Sequence, residues 1–194
     1  MQKIILASQS PRRKQLLAWA EIPFEVKSSE TDESYPVNLF PEEVAIHIAR
    51  NKALTVLQAD ESANIAMAET PILAADTIVV LNNEIIGKPF NRGDAINILQ
   101  KLSGKKHLVI TGVVILFNKA EVVFADTTEV EFHELTNEQI EFYVDNYKPF
   151  DKAGAYAIQE WIGVVGIKSV NGDFYNVMGL PISRVLIELK KMEK

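Results

Sequence analysis

Apolar and polar positions along this chain change period several times, and each change marks an element. Lys3–Ala7 reads as a first strand, its residues after Lys3 an unbroken apolar run. It breaks into polar Ser8-Gln9-Ser10, after which Pro11–Ala20 reads as a helix with Ser10 as N-cap and Pro11 in the first turn. Phe24–Ser28 predicts a second strand, and SSETDESYPVN a polar loop that closes where a helix starts at Pro41–Glu43. Through Glu42–Ala59 the spacing is helical, with Ala45, Ile48, Ala49, Lys52 and Val56 on one stripe. Lys52 is the odd member. Pro71–Leu81, PILAADTIVVL, is apolar on both faces and predicts a central strand, turning at Asn82-Asn83 into Glu84–Ile86. One charge, Asp76, interrupts it.

The second half adds a helix from about Asp94 to Lys101 and a loop, SGKKH, that leads into the strand His107–Phe117. Val122–Phe132 pairs with that strand across the Asn118–Glu121 turn. Thr136 and Gln139 have the spacing of a capping box ahead of the helix EQIEFYVDN. KPFDKAGAYAIQ reads first as loop and then as extended chain. Val164–Val170 and Phe174–Val177 flank Asn171-Gly172, the signature of a hairpin, and Gly179-Leu180-Pro181 opens a last helix to Lys190. Strands and helices mix without strict βαβ alternation, which predicts an α/β fold with a mixed central sheet flanked by helices. There are no repeats, low-complexity tracts or linker, so residues 1–194 are expected to form a single domain whose two lobes share a sheet.

Composition narrows the chemistry more than the fold. With 47% hydrophobic and 24% charged residues the chain has the make-up of an ordinary globular protein. No apolar run reaches the ~20 residues that a membrane-spanning helix needs, and the start has no signal-peptide pattern, so a cytoplasmic location is expected. The absence of cysteine excludes disulfides, thiolate metal sites and cysteine nucleophiles. A net charge of −6 argues against nucleic acid as a partner, although a cleft can still concentrate positive charge around a small anion.

Several residues stand out against that background. Ser8, Ser10, Arg12 and Arg13 surround the predicted start of a helix, whose exposed N–H groups and dipole disfavour cations and favour an anion. A bound phosphate and a turn paired with surface carboxylates both account for them. Asp76, inside an apolar strand, needs a cation, a metal or hydrogen-bond donors, as a general base or a metal ligand would have, unless the strand ends at Ala75 and Asp76 is a turn residue. In regular strand geometry Thr77 faces the other way, so Asp76 and Thr77 line one site only at a bend. Lys88, between Gly87 and Pro89, and Lys52 can neutralise phosphate or be solvated. Glu30, Asp32 and Glu33 form an acidic loop that either holds a hard cation or is solvated. His47, His107 and His133 lack metal-site spacing and read as structural, and no serine lies in a GxSxG elbow. Trp19 and Trp161 read as packing residues, Trp161 alternatively at a pocket mouth. Neither IIGKP nor SGKKH is a P-loop, and no GxGxxG follows the first strand.

Taken together, LASQSPRRKQLL, ARNKA, AADTIVVLNNEIIGKP, LSGKKHLVITGV, DKAGAYAIQ and NGDFYNVMGLPI resemble the Maf family, septum-formation-protein relatives that act as nucleoside triphosphate pyrophosphatases. The resemblance runs nearly end to end. It implies a mixed α/β fold similar to that of inosine triphosphate pyrophosphatases, with two lobes and a nucleotide cleft, and cleavage between the α and β phosphates. Carried over by motif, Asp76 matches the catalytic proton acceptor, and Arg12, Arg13, Glu33, Lys52 and Lys88 match charged positions of the cleft. Ser8 and Ser10 join the substrate-binding set, and Glu33 with Asp76 would bind Mg²⁺ or Mn²⁺. Arg12, Thr77 and Gln159 match the specificity positions of the branch that prefers dTTP and UTP; Gln159 has the donor and acceptor that a uracil or thymine edge requires. The resemblance further implies a homodimer and a role in clearing the nucleotide pool, modified pyrimidines included. Two other readings stay open: a nucleotide-binding regulator of septum formation whose turnover is incidental, and the 7-methyl-GTP branch of the family.

Overall fold

The computed structural model describes residues 2–28, 31–61, 70–118 and 120–192. Glu30, part of the acidic loop, lies outside them. In chain order the elements are β1 (Ile4–Leu6), α1 (Pro11–Trp19), β2 (Phe24–Val26), α2 (Pro41–Glu61), β3 (Ile72–Leu81), β4 (Glu84–Ile86), α3 (Arg92–Leu102), β5 (Lys106–Phe117), β6 (Ala120–Phe132), α4 (Asn137–Tyr147), a 3₁₀ turn (Ala153–Ala155), α5 (Trp161–Gly166), β7 (Ile167–Asn171), α6 (Phe174–Met178) and α7 (Ile182–Met192). The strands order as β2-β1-β3-β5-β6-β7, with β4 beside β3. β1 is parallel to β2 and β3, whereas β3–β4 and β6–β7 are antiparallel, so the sheet is mixed as the sequence predicts.

The chain divides into two compact units. The first comprises Met1–Asp76, Thr111–Asp126 and Gly179–Lys194. Its core gathers Ile5 of β1 and Ala7 just after it, Ala49, Ala53 and Val56 of α2, Ile72 and Ala74 of β3, and Val114 of β5, all buried. Alanines dominate the α2 face because helix and sheet approach closely there. At Gly112 of β5 a Cβ atom would collide with the backbone of Ala45 and Ile46. The parallel ladder is continuous, Ile5 N–H donating to Pro71 O and Ala7 N–H to Leu73 O, both at 2.8 Å. It fixes the level at which the chain leaves β1 for the Ser8–Ser10 loop.

The second unit comprises Thr77–Ile110 and Thr127–Met178. Here α3 packs on α4 and on the 3₁₀ turn, burying Leu99, Leu102, Ile140, Tyr143 and Val144. The Thr136–Gln139 capping box forms as the spacing predicts. Among the described residues no helix is long and apolar enough to cross a membrane.

Two expectations fail. The stretch Val164–Val177 is no hairpin: its first residues belong to α5, Ile167–Asn171 pairs with β6, and Phe174–Met178 is helical. Gly172 does take a positive φ of 133°, but the chain after it is captured by Thr128. Asp173 N–H donates to Thr128 Oγ1 at 3.1 Å, and the amide of fully buried Asn176 reaches Thr128 Oγ1 and Val109 O at 3.0 Å each. Two buried polar bonds and a partly buried one outweigh a local turn preference. Trp19, expected to pack, is 58% exposed at the end of α1. Trp161 of α5 does pack, its ring tilted on Phe142 with centroids 4.8 Å apart.

Candidate active site

The loop between β1 and α1 is built from its serines. Ser10 caps α1, its hydroxyl accepting from Arg13 N–H at 3.5 Å, and Pro11 occupies the first turn without losing an intrahelical bond. Ser8, buried, accepts from Ser10 N–H at 3.2 Å and from Arg13 Nη1 at 3.0 Å. Arg13 Nε donates to Gly179 O at 2.8 Å. One of the two arginines is therefore buried and turned back onto the fold, where it ties α1 to the chain entering α7.

Asp76 lies inside β3 and is 8% exposed, so the strand does not end at Ala75. Lys52 Nζ donates to Asp76 Oδ1 at 2.6 Å and to Glu33 Oε1 at 2.8 Å. Helical spacing carries Lys52 onto the buried stripe of α2, and its ammonium reaches the strand carboxylate. This explains the one charged residue on that stripe. Charge-assisted bonds from a single ammonium to two carboxylates are what allow Asp76 to remain at this depth.

Electrostatics join the two groups. Burial pulls the Arg13 guanidinium below its ordinary range; the negative charge of Asp76 opposes this, neighbouring Arg12 adds to it, and Glu33 opposes it again. Arg12, Arg13 and Lys52 thus stand against Glu33 and Asp76, leaving one net positive charge in a chain that is negative overall. The cluster's two arginines lie in the first turn of α1, where helix N–H groups and dipole add to the positive potential. Such a site can hold a phosphate chain and place a carboxylate and an ammonium beside it.

For a divalent ion, Glu33 and Asp76 offer two hard oxygens at one point. Among the described residues no group of three or more His, Asp or Glu converges. Two carboxylates fit an ion such as Mg²⁺ that takes most of its ligands from water and phosphate.

The remaining expected site residues, Thr77, Lys88 and Gln159, belong to the second unit. Lys88 and Gln159 are exposed and Thr77 is partly buried. The peptide before Lys88 is fixed by Gly154 N–H donating to Gly87 O at 3.2 Å. Around Gln159 the structure shows three polar residues that the sequence reading passed over, namely Tyr143, Lys152 and Glu160. Tyr143 accepts from Ala157 N–H at 3.1 Å and donates to the Glu160 carboxylate, whose other oxygen is 3.5 Å from Lys152 Nζ. Lys152 and Glu160 flank the recognised AYAIQ stretch and could have been suspected; Tyr143 sits in an unremarkable helix and gave no signal.

The family model for Maf-like protein matches residues 3–192, nearly the whole chain. The chain belongs to the Maf-like protein family. Among curated relatives, a protein of Cytophaga hutchinsonii named dTTP/UTP pyrophosphatase is 49% identical over 97% of this chain and 84% of its own length. Proteins of the same name from Phocaeicola vulgatus and Bacteroides thetaiotaomicron are 48% and 44% identical over 98% of this chain and 96% of theirs. Among solved structures, the Staphylococcus aureus Ham1 protein aligns over 68% of this chain and 72% of its own with a TM-score of 0.45 and 14% identity.

Proposed function

We propose that this Maf-family protein is a pyrophosphatase of dTTP and UTP, releasing pyrophosphate and the nucleoside monophosphate. The observation that carries the reading is the ion triad in which Lys52 bridges Glu33 and Asp76, beside Arg12 and Arg13. It supplies a buried carboxylate and a surplus of positive charge together, and the relatives' shared name supplies the reaction.

In this reading Asp76 accepts the proton of the attacking water, since among the described residues it is the most buried carboxylate and it is held inside a strand of the sheet. Lys52 orients it through the 2.6 Å bond to Oδ1. Arg12, with the N–H groups at the start of α1, takes up charge on the phosphates, and Lys88 adds a further cation. Arg13 and Ser8 hold the loop in shape, and Ser10 holds the helix end open to the anion. Glu33 and Asp76 would hold Mg²⁺ or Mn²⁺, which neutralises charge on the phosphates. Thr77 and Gln159 select the base, the amide of Gln159 offering donor and acceptor to O4 and N3–H of a pyrimidine.

The test is release of pyrophosphate and orthophosphate from dTTP, UTP, CTP, dGTP and 7-methyl-GTP with Mg²⁺ or Mn²⁺, with Asp76→Asn alongside. Pyrophosphate from dTTP and UTP, lost in Asp76→Asn and on chelation, is the expected result. Preferred turnover of 7-methyl-GTP overturns the branch assignment. Nucleotide binding without release from any substrate overturns the enzyme reading and favours a binding protein.

A further inference from the structure

Tyr143 has the most completely buried large side chain in α4, at 0% exposure, and its ring stacks on Tyr147 with centroids 5.0 Å apart. A phenylalanine would give the same packing, so the hydroxyl needs its own explanation. It is used in both directions. It accepts from the backbone N–H of Ala157 at 3.1 Å and donates to the carboxylate of Glu160. Those two partners bracket Ile158 and Gln159.

The turn that bears Gln159 is pinned at its other points as well. Glu160 N–H donates to Ala157 O at 3.1 Å, and Gly163 N–H to Glu160 O at 2.9 Å. Gly163 has no room for a side chain, because a Cβ atom would run into the Ile158 carbonyl. Glu160 is tied back to the 3₁₀ turn through Lys152, whose ammonium also pairs with Asp151 at 2.8 Å. Gln159 itself is exposed, so the direction of its amide follows the backbone that carries it. A donor and acceptor pair discriminates between bases only if its direction is set before the base arrives.

We propose that Tyr143 is a positioning residue for base selection: its hydroxyl locks the Ala157–Glu160 turn and so directs the Gln159 amide. The proposal rests on the reading of Gln159 as a base-selecting residue. Tyr143 touches no substrate and takes no part in the chemical step, so its removal acts on selectivity and KM, not on kcat.

The experiment compares kcat and KM for dTTP, UTP and dGTP in the wild-type protein, Tyr143→Phe, Tyr147→Phe and Gln159→Ala, with circular dichroism and thermal melting alongside. Tyr143→Phe is expected to raise KM for dTTP and UTP about tenfold, keep kcat within about twofold, and lower the dTTP to dGTP ratio of kcat/KM about tenfold. Tyr147→Phe, on the same helix, leaves all three unchanged. Should Tyr143→Phe fail to fold, Glu160→Ala removes the other end of the same bond and carries the same expectation. Gln159→Ala losing selectivity while the folded Tyr143→Phe or Glu160→Ala keeps it overturns the proposal alone. A uniform fall in kcat for every substrate also overturns it, as the mark of a merely structural role. Gln159→Ala that retains the wild-type ratio overturns the base-reading assignment and this proposal with it.

Discussion

Lowering the pH toward 5.5 should destabilise this protein through His107 of β5. It is 2% exposed; its Nε2 shares a hydrogen bond with the Tyr156 hydroxyl at 2.8 Å, and Phe132 and Tyr156 flank its ring at 5.4 and 5.5 Å. Nδ1 has no hydrogen-bond partner among the described residues. Burial pulls the imidazole down from 6.5 to about 4 and pushes the Tyr156 hydroxyl up, so both groups are neutral in the folded state. Unfolded, His107 titrates near its ordinary value and binds a proton more readily than when folded. Stability due to the neutral imidazole is therefore complete above about pH 6.5 and is lost as the pH falls toward 4. At ~1.36 kcal/mol per pH unit the loss between pH 8 and pH 5.5 is about 1.4 kcal/mol. Urea unfolding of wild type and His107→Gln across that range isolates the effect, because all other groups titrate alike in the two proteins. The wild type should lose about 1.4 kcal/mol more than the variant over the interval. Parallel curves would refute the reasoning, since they would mean that water or an acceptor reaches the ring in the folded state.

Three further outcomes follow from contacts described above. Lys52→Met strands Asp76 and Glu33 without their shared ammonium; pyrophosphate release from dTTP should fall at least ~100-fold, and urea unfolding should show a loss of about 3 kcal/mol. Ser10→Ala removes the α1 cap and should lower stability by about 1 kcal/mol in the same assay, with a rise in KM if the helix start binds phosphate. Gly163→Ala drives a methyl group into the Ile158 carbonyl and should cost at least ~2 kcal/mol, visible as a lower melting temperature.

Local features were legible wherever a few neighbouring residues decide the outcome. Ser10 and Pro11 start α1, Thr136 and Gln139 box the start of α4, and the β-branched run around Asp76 forms a strand, because caps and hydrophobic period act within one or two turns of chain. The hairpin at Asn171-Gly172 misled for the converse reason: Gly172 kept its positive φ, but Thr128 and Val109, more than 40 residues away, offered Asp173 and Asn176 better partners.

By itself, then, the chain's sequence determined the order of elements from β1 to α4, the family, and the unusual position of one carboxylate in an apolar strand. Only the tertiary structure decided what that carboxylate meets. Lys52 and Asp76 are 24 residues apart and Arg13 and Gly179 are 166 apart, and pattern alone cannot say which cation folds onto which oxygen. Arg12 and Arg13 are neighbours in sequence, yet Arg13 is buried against Gly179 and Ser8 while Arg12 stays partly exposed. The difference arises because adjacent helical positions point about 100° apart, so the packing of the whole first unit decides which of the two is turned inward.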